Sequence, residues 1–360
     1  VPALWDSGIG KHCLSQEPCV RLLFSTGFGI LIVKPDMTVR SCVPRAVSQL
    51  YVRFLSWESV AKSICNFDSE IIGAGSWWFD IREIMPGQEN LLWNKIHAFR
   101  FDAWKCMEDY YGIKITWHNE TIAEKLLAVI YKELEEKRPV LVYINSHFCP
   151  WHPRKHEYNA HFCLVVGFEK KSRSFICMDV NLNRFEERLS VELFLKGCGP
   201  YITFSKTNKL YKSINWKAII GSTINHLGIN TKHNSFILMR KLAYELEREI
   251  DDLKDGVPSW IENPIPLVSK VGLLQKGRNY FSITLEFLAK QYNVKKLISI
   301  SNRLKQAARQ WRVVSFLAIK CQLNRDDRNS LIRIPEKIIE IADFEEHIAL
   351  DLIKLLEEHG

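Results

Sequence analysis

The segment from Asn159 to Asn181 constrains the fold more than any other. Phe162 to Phe168 is a continuous apolar run, Ser174 to Val180 is a second strand pattern with an apolar centre, and only a short charged turn separates them. Two β-prone runs joined in this way read as an antiparallel hairpin with a buried face. His161 opens the first strand and Asp179 lies near the end of the second. A hairpin brings such ends together, because cross-strand neighbours lie ~4.5–5.5 Å apart at Cβ, within reach of an imidazole to carboxylate hydrogen bond. Asn181 points to the same face as Asp179 and is the alternative partner for the imidazole. The competing explanation of His161 is a satisfied structural histidine. A polar pair bracketing a buried hairpin fits chemistry better.

An imidazole oriented by a carboxylate can activate a thiol, and Cys13 is the candidate thiol upstream. Gly8 and Gly10 give a flexible approach to it, and Val20, Leu22 and Leu23 begin a helix pattern after it. A thiol near a helix N-terminus is favoured as thiolate. Pro18 complicates this placement, since it disturbs a helix already running from Cys13. Taken alone, a cysteine after a glycine-rich loop more often packs than reacts. The order is what gives it meaning: Cys, then His within the ~130–150-residue spacing of papain-like nucleophile sites, then a carboxylate.

His147, Cys149, His152, His156, His161 and Cys163 crowd together, and His161 and Cys163 share one strand face. Their spacing matches no standard tetrahedral pattern, so no metal is expected.

The organisation changes near residue 210. Before it, strand and helix signals alternate: the apolar run Phe28 to Val33, the alternating Gly112 to Trp117, a helix over about Thr121 to Lys137, the strand Val140 to Ile144, a Pro- and His-rich loop, and the hairpin. This half reads as α+β with an antiparallel sheet. After Leu210 the pattern is almost entirely helical, with helices expected over Phe236 to Leu253, Phe281 to Tyr292, Ile300 to Cys321 and Pro335 to Glu358, the last with Pro at its first turn. Pro258, Pro264 and Pro266 mark a loop. Two domains are expected, 1–209 and 210–360.

No apolar run approaches the ~20 residues of a membrane helix, and no membrane partner is expected. The ten cysteines lack a framework spacing, which suits a reducing cytoplasm. The formal net charge of +8 is unevenly spread: from Phe287 to Arg325 there is no Asp or Glu, while Arg303, Lys305, Arg309 and Arg312 stand among nine basic residues. Such a stretch binds an anionic partner or is a solvated face balanced by acids nearby in space. It carries no nucleic-acid reading motif, and no nucleic-acid partner is expected.

Several motifs together resemble a known family: Gly10-Lys-His-Cys13, Lys137-Arg-Pro-Val-Leu-Val142, the loop Cys149-Pro-Trp-His-Pro153 leading to His161, and the hairpin with Gly167 and Asp179. In this order they resemble the N-terminal domain of the butirosin biosynthesis protein H family. The remainder is similar to the helical domain that follows it there, through Phe281-Ser-Ile-Thr-Leu-Glu-Phe-Leu288, Ala307-Ala-Arg-Gln-Trp311 and Ala342-Asp-Phe-Glu-Glu-His347. The resemblance spans nearly the whole chain.

It implies a papain-like domain used for acyl transfer in antibiotic or related specialised metabolism. An acyl group on the phosphopantetheine thioester of an acyl or peptidyl carrier protein passes to the enzyme cysteine and then to a small amine, such as an amino sugar or diamine, forming an amide. By position, Cys13 is the implied nucleophile, His161 the general base and acid, and Asp179 the orienting carboxylate, with no bound cofactor. Where papain-like enzymes often place an oxyanion glutamine, six residues before the cysteine, this chain has Ser7, so only the Cys13 backbone N–H is assigned to the oxyanion hole. The acid-free stretch is then a candidate surface for an acidic carrier, through Arg303, Lys305, Arg309 and Arg312. A cysteine peptidase or amidohydrolase shares the same triad, and a non-catalytic binding or immunity protein on the same fold is the reading from another class.

Overall fold

The computed structural model describes residues 37–38, 70–82, 95–97, 103–120, 122–153, 155–156, 158, 160–179, 182–207, 214–252 and 258–359. Cys13, Ser7, Asn181 and the apolar run Phe28 to Val33 lie outside them.

Strands and helices follow in chain order. Strand β1 is Met37–Thr38, a 3-10 turn runs Glu70–Gly75, and β2 (Asp80–Ile81) pairs with β3 (Ile96–His97). Helix α1 (Ala103–Tyr111), β4 (Ile113–His118), α2 (Ala123–Glu135) and β5 (Val140–Asn145) come next. The hairpin is β6 (Ala160–Glu169) and β7 (Ser174–Asp179), followed by β8 (Arg184–Ser190), α3 (Val191–Gly197) and β9 (Cys198–Lys206). The helical region holds α4 (Trp216–Leu227), α5 (Ser235–Asp251), the short α6 (Ser259–Glu262), α7 (Ile265–Tyr292), α8 (Lys296–Leu323) and α9 (Arg328–Glu358). This is the α+β fold expected from sequence, an antiparallel sheet domain followed by a mainly helical region. None of the described helices is long and apolar enough to cross a membrane.

The sheet has seven strands in the order β4-β9-β5-β6-β7-β8, with β1 added on β6 and every pairing antiparallel. Burial explains the order. The apolar strand Val-Leu-Val-Tyr-Ile of β5 is covered on both faces and sits inside the sheet, while Arg-Phe-Glu-Glu-Arg of β8 exposes alternate charges at one edge. One sheet face carries Val140, Val142, Ile144, Cys163, Val165 and Cys177 against Leu126, Ile130 and Leu134 of α2 and Phe194 of α3. The opposite face carries Leu141, Leu164, Val166, Met178, Ile202 and Phe204, which join one continuous core with the helical region. Residues 70–79 lie in that same core and are tied to the helices by backbone acceptors: Thr284 donates to the Glu70 carbonyl, Ser76 to that of Gly277, Thr223 to that of Ala74, and Ser235 to that of Phe79.

Side-chain capping sets several of the helix ends. Asn215 and Asn234 accept from backbone N–H groups at the starts of α4 and α5, and Gly228 ends α4 in the left-handed region at φ 65°. Two expected boundaries are corrected. Pro266 does not lie in a loop; it sits in the first turn of α7, where a missing N–H costs nothing, and the helix starts at Ile265 instead of Phe281. Pro335 does not open the last helix. It is internal to α9, which starts seven residues earlier because Asp327 accepts from the Ser330 backbone N–H and hydroxyl.

The helical region is assembled around one buried ion pair. Arg278 of α7 donates bidentately to Glu345 of α9, with Nε at 2.8 Å from Oε1 and Nη2 at 2.8 Å from Oε2, and both residues are fully buried. Trp77 Nε1 donates to Oε2 at 2.8 Å, Trp311 Nε1 of α8 donates to Oε1 at 2.9 Å, and Arg278 Nη1 donates to the Trp78 carbonyl at 3.0 Å. Three helices and the segment after the 3-10 turn thus converge on one carboxylate.

Removing one member of a buried pair strands the other charge, at a cost of about 3–5 kcal/mol. Glu345→Gln is therefore expected to lower the unfolding free energy by about that amount, read as a shift in urea midpoint at unchanged slope. A loss below 1 kcal/mol, the scale of an exposed pair, would remove Arg278 and Glu345 from the centre of the assembly.

Candidate active site

His161 and Asp179 meet as the hairpin pattern requires. The ladder pairs Leu164 with Met178 and Val165 with Cys177, so His161, Cys163, Cys177 and Asp179 share one sheet face. Asp179 lies one step beyond the Leu164–Met178 pair, and His161 reaches it across the diagonal. His161 Nε2 stands 2.6 Å from Asp179 Oδ2, with the imidazole 6% exposed and the carboxylate fully buried. The strand thereby does two jobs: it fixes the imidazole on rigid backbone and removes the hydrogen bond from water, which strengthens it.

The loop between β5 and β6 closes over this pair. Its Trp151 donates from Nε1 to the same Asp179 Oδ2 at 2.8 Å, and the Leu182 backbone N–H reaches Oδ1 at 3.3 Å. His152 sets its ring edge-on to His161, with centroids 4.6 Å apart. The loop is anchored locally: Asn145 at the end of β5 accepts from the His147 backbone N–H, a 3-10 turn covers Ser146–Phe148, and His147 stacks on the exposed Tyr158 ring. The buried carboxylate therefore receives three donors, which compensates its desolvation.

This arrangement assigns the imidazole tautomer. Indole Nε1–H can only donate, so Oδ2 already acts as an acceptor, and the same oxygen accepts the proton carried on His161 Nε2 as well. Nδ1 is left with its lone pair, and among the described residues it has no hydrogen-bond partner. An imidazole with one nitrogen held by a carboxylate and the other available is equipped to take a proton from a thiol.

Cysteines close to the pair are poor nucleophiles. Cys149, Cys163 and Cys177 are buried and unpaired by disulfide. Burial, with the neighbouring Cys163 and Asp179 adding to it, pushes the Cys149 thiol up, and a hydrogen bond with Cys177 together with burial does the same for Cys163. Raised thiols stay protonated and inert, so Cys149 and Cys163 act as small apolar residues. Cys13, the candidate nucleophile from sequence, lies outside the described residues. Asn181, the alternative orienting residue, does as well. Among the described residues no group of three or more His, Cys, Asp and Glu is placed to hold a metal ion.

The four basic residues expected to face a partner all lie on α8, and they differ in surroundings. Arg303 pairs with Asp351 and Lys305 with Glu286. Arg309 and Arg312 are exposed, and Arg312 lies over the Phe316 ring at 5.2 Å.

Sequence reasoning missed Trp151. The signal was present in Cys149-Pro-Trp-His-Pro153, where two prolines hold a tryptophan and a histidine immediately before the strand of His161. Nothing in the sequence says that the indole turns toward Asp179, 28 residues downstream.

Residues 91–207 match the model of the Peptidase_C39 like family. The match takes in β3 to β9, and with it His161, Asp179 and Trp151, but not Cys13. No curated protein matches the chain. Residues 91–207 of the sheet domain are thus similar to a Peptidase_C39 like domain, a similarity consistent with a papain-like fold.

The geometry is directly testable at the imidazole. Nitrogen-15 NMR of the histidine side chains is expected to show His161 as the Nε2–H tautomer, and Asp179→Asn should release that preference. Trp151→Phe keeps the carboxylate but removes one donor, a bond to a charged group contributing about 1.5–3 kcal/mol, and should loosen the preference partially. An Nδ1–H tautomer in the unsubstituted protein would contradict the assignment.

Proposed function

We propose that the protein is a cysteine-dependent acyltransferase that forms amides, with Cys13 as nucleophile, His161 as general base and acid, and Asp179 as the group that orients His161. The observation that carries the reading is the His161–Asp179 bond at 2.6 Å, made through Nε2 so that Nδ1 is left out of it, within a domain matched by a cysteine-peptidase-like family model. A fold of this type uses such an imidazole on a cysteine thiol. The choice of acyl transfer rests on the resemblance of the motifs to the butirosin biosynthesis protein H family, which extends into the helical region.

In the proposed cycle, His161 Nδ1 takes the proton from the Cys13 thiol, and the thiolate adds to the carbonyl carbon of an acyl-phosphopantetheine thioester held on a carrier protein. The Cys13 backbone N–H supports the oxyanion. Collapse breaks the carbon–sulfur bond to pantetheine, whose sulfur takes the proton back from the imidazolium, leaving acyl-Cys13. An amine then adds to the same carbon, His161 accepts a proton from its nitrogen, and the second collapse returns the proton to Cys13 and releases the amide. Exchange of one thioester for another is nearly balanced in energy, so the first half costs little. The second half favours an amine over water where water is excluded, and the helical region is the candidate wall of that acceptor pocket.

Peptide or amide hydrolysis is the second reading, favoured by the family match itself, since the two chemistries differ only in acceptor. Intact-protein mass spectrometry after incubation with an acyl-pantetheine thioester separates them. The expected result is an adduct on Cys13 that persists in water and disappears on addition of an amino sugar or diamine. Cys13→Ala should abolish the adduct, His161→Ala should nearly do so, and Asp179→Asn should lose less. Rapid loss of the adduct without amine would make the protein a hydrolase, and no adduct with any acyl donor would favour a binding protein on this fold.

A further inference from the structure

Helix α8 carries no acidic residue over its whole length, yet most of its cations are neutralised by neighbouring helices. Lys296 pairs with Glu358, Arg303 with Asp351, Lys305 with Glu286 and Lys320 with Asp327. Arg309 and Arg312 are the exception: both are exposed, and among the described residues neither pairs with a carboxylate.

The same stretch of α8 exposes apolar side chains that a solvated helix face would not need. Val313 is 42% exposed, Phe316 56% and Leu323 81%, at three- to seven-residue steps that place them along one side of the helix, with Ile319 beside them. Next to this ridge, between α8 and α9, runs a groove of about 310 Å³ with Val313 and Leu317 in its wall and Arg309, Arg333 and Lys337 at its rim. Arg333 and Lys337 are paired with Glu336 and Glu340, which leaves Arg309 and Arg312 as the uncompensated charge. An aromatic and aliphatic ridge flanked by arginines has the composition of an interface core with a basic rim.

We infer that this ridge and groove dock an amphipathic helix of an acidic carrier protein, its apolar side chains entering the groove beside Val313 and its carboxylates meeting Arg309 and Arg312. The inference rests on the acyl-transfer reading for the identity of the partner and narrows it to one face of α8. Charge complementarity selects the occupant. A second copy of this chain would bring Arg309 and Arg312 against their own equivalents across a two-fold axis, on a chain whose formal net charge is already +8. An acidic helix removes both penalties and buries Phe316 and Leu323.

The test uses the full chain and, as probe, the holo form of a stand-alone fatty-acid-type acyl carrier protein. Binding is followed by fluorescence anisotropy across a salt series. The expected result is binding that weakens with salt. Arg309→Glu with Arg312→Glu should weaken it at least about tenfold and flatten the salt dependence, because the charges act at long range. Phe316→Ser with Leu323→Ser should weaken it by a similar factor while keeping the salt slope, because only the apolar contact is lost. Circular dichroism checks that both surface variants are folded. No binding by the unsubstituted protein, or equal binding by both variants, overturns the inference. Self-association in sedimentation that Phe316→Ser with Leu323→Ser abolishes would instead assign the face to a second copy. Acylation of the unsubstituted protein by a carrier-free acyl-pantetheine is read separately, so loss of the docking result with retained acylation leaves the acyl-transfer reading standing.

Discussion

The carboxylate of Glu345 is the point on which the helical region depends. A buried ion pair is weak evidence for stability on its own, since its desolvation penalty rivals its attraction. Here the penalty is met by completeness. Both carboxylate oxygens are occupied by the guanidinium of Arg278, each takes an indole N–H besides, and the guanidinium spends a further donor on the Trp78 carbonyl. Its planar fork lies 5.8 Å from the Trp311 ring, so it packs as well as bonds. Such a network has one register in which every donor is used, and it therefore sets how α7, α8 and α9 cross and where residues 76–79 enter. Three of the motifs that carry the resemblance to a known family lie on this framework: Trp311 and Glu345 are members of two, and Phe281, in the third, stacks on Trp77.

The sheet divides its work between faces. Its Leu141, Leu164 and Met178 face joins the core with the helices, and this makes the strands a fixed platform. Its other face ends in the polar pair of His161 and Asp179, bordered by Cys163, Cys177 and Cys149, and is capped by Trp151. Small apolar side chains and unreactive thiols around a hydrogen-bonded imidazole lower the local dielectric without competing for its proton. Trp151 contributes through its position: it spends its single donor on the oxygen that His161 also uses, so the loop and the strand are locked to the same atom.

On the proposed acyl-transfer reading, that construction suits chemistry in which an acyl group must wait for its acceptor. A peptidase gains from open access of water, whereas a transferase gains from a site whose imidazole is shielded and whose second substrate completes the enclosure. His161 is 6% exposed, and a loop with aromatic and histidine side chains lies over it. The basic and apolar stretch of α8 is on the helical region, not on the sheet domain matched by the family model. The proposed activation and the proposed partner recognition therefore fall on different parts of one continuous core.

The sequence by itself determined the hairpin, the pairing of its two polar ends and the change from mixed to helical structure near residue 210. Each is a local signal: alternation or apolar runs set strands, and a 3.6-residue stripe sets helices. The proline signals misplaced the starts of α7 and α9 at Phe281 and Pro335; the true starts depend on Pro266 standing in a first turn and on Asp327 reaching Ser330. The roles of Trp151 and Glu345 were invisible, because an indole or a carboxylate in a helix or loop looks the same whether it points to water or to a partner distant in the chain. Charge was the least legible of all. The acid-free run from Phe287 to Arg325 suggested four equivalent cations, and only the tertiary structure, by setting Asp351 beside Arg303 and Glu286 beside Lys305, decided that Arg309 and Arg312 are the two left without a carboxylate partner among the described residues. Electrostatics depends on distance in space, and the sequence records only distance along the chain.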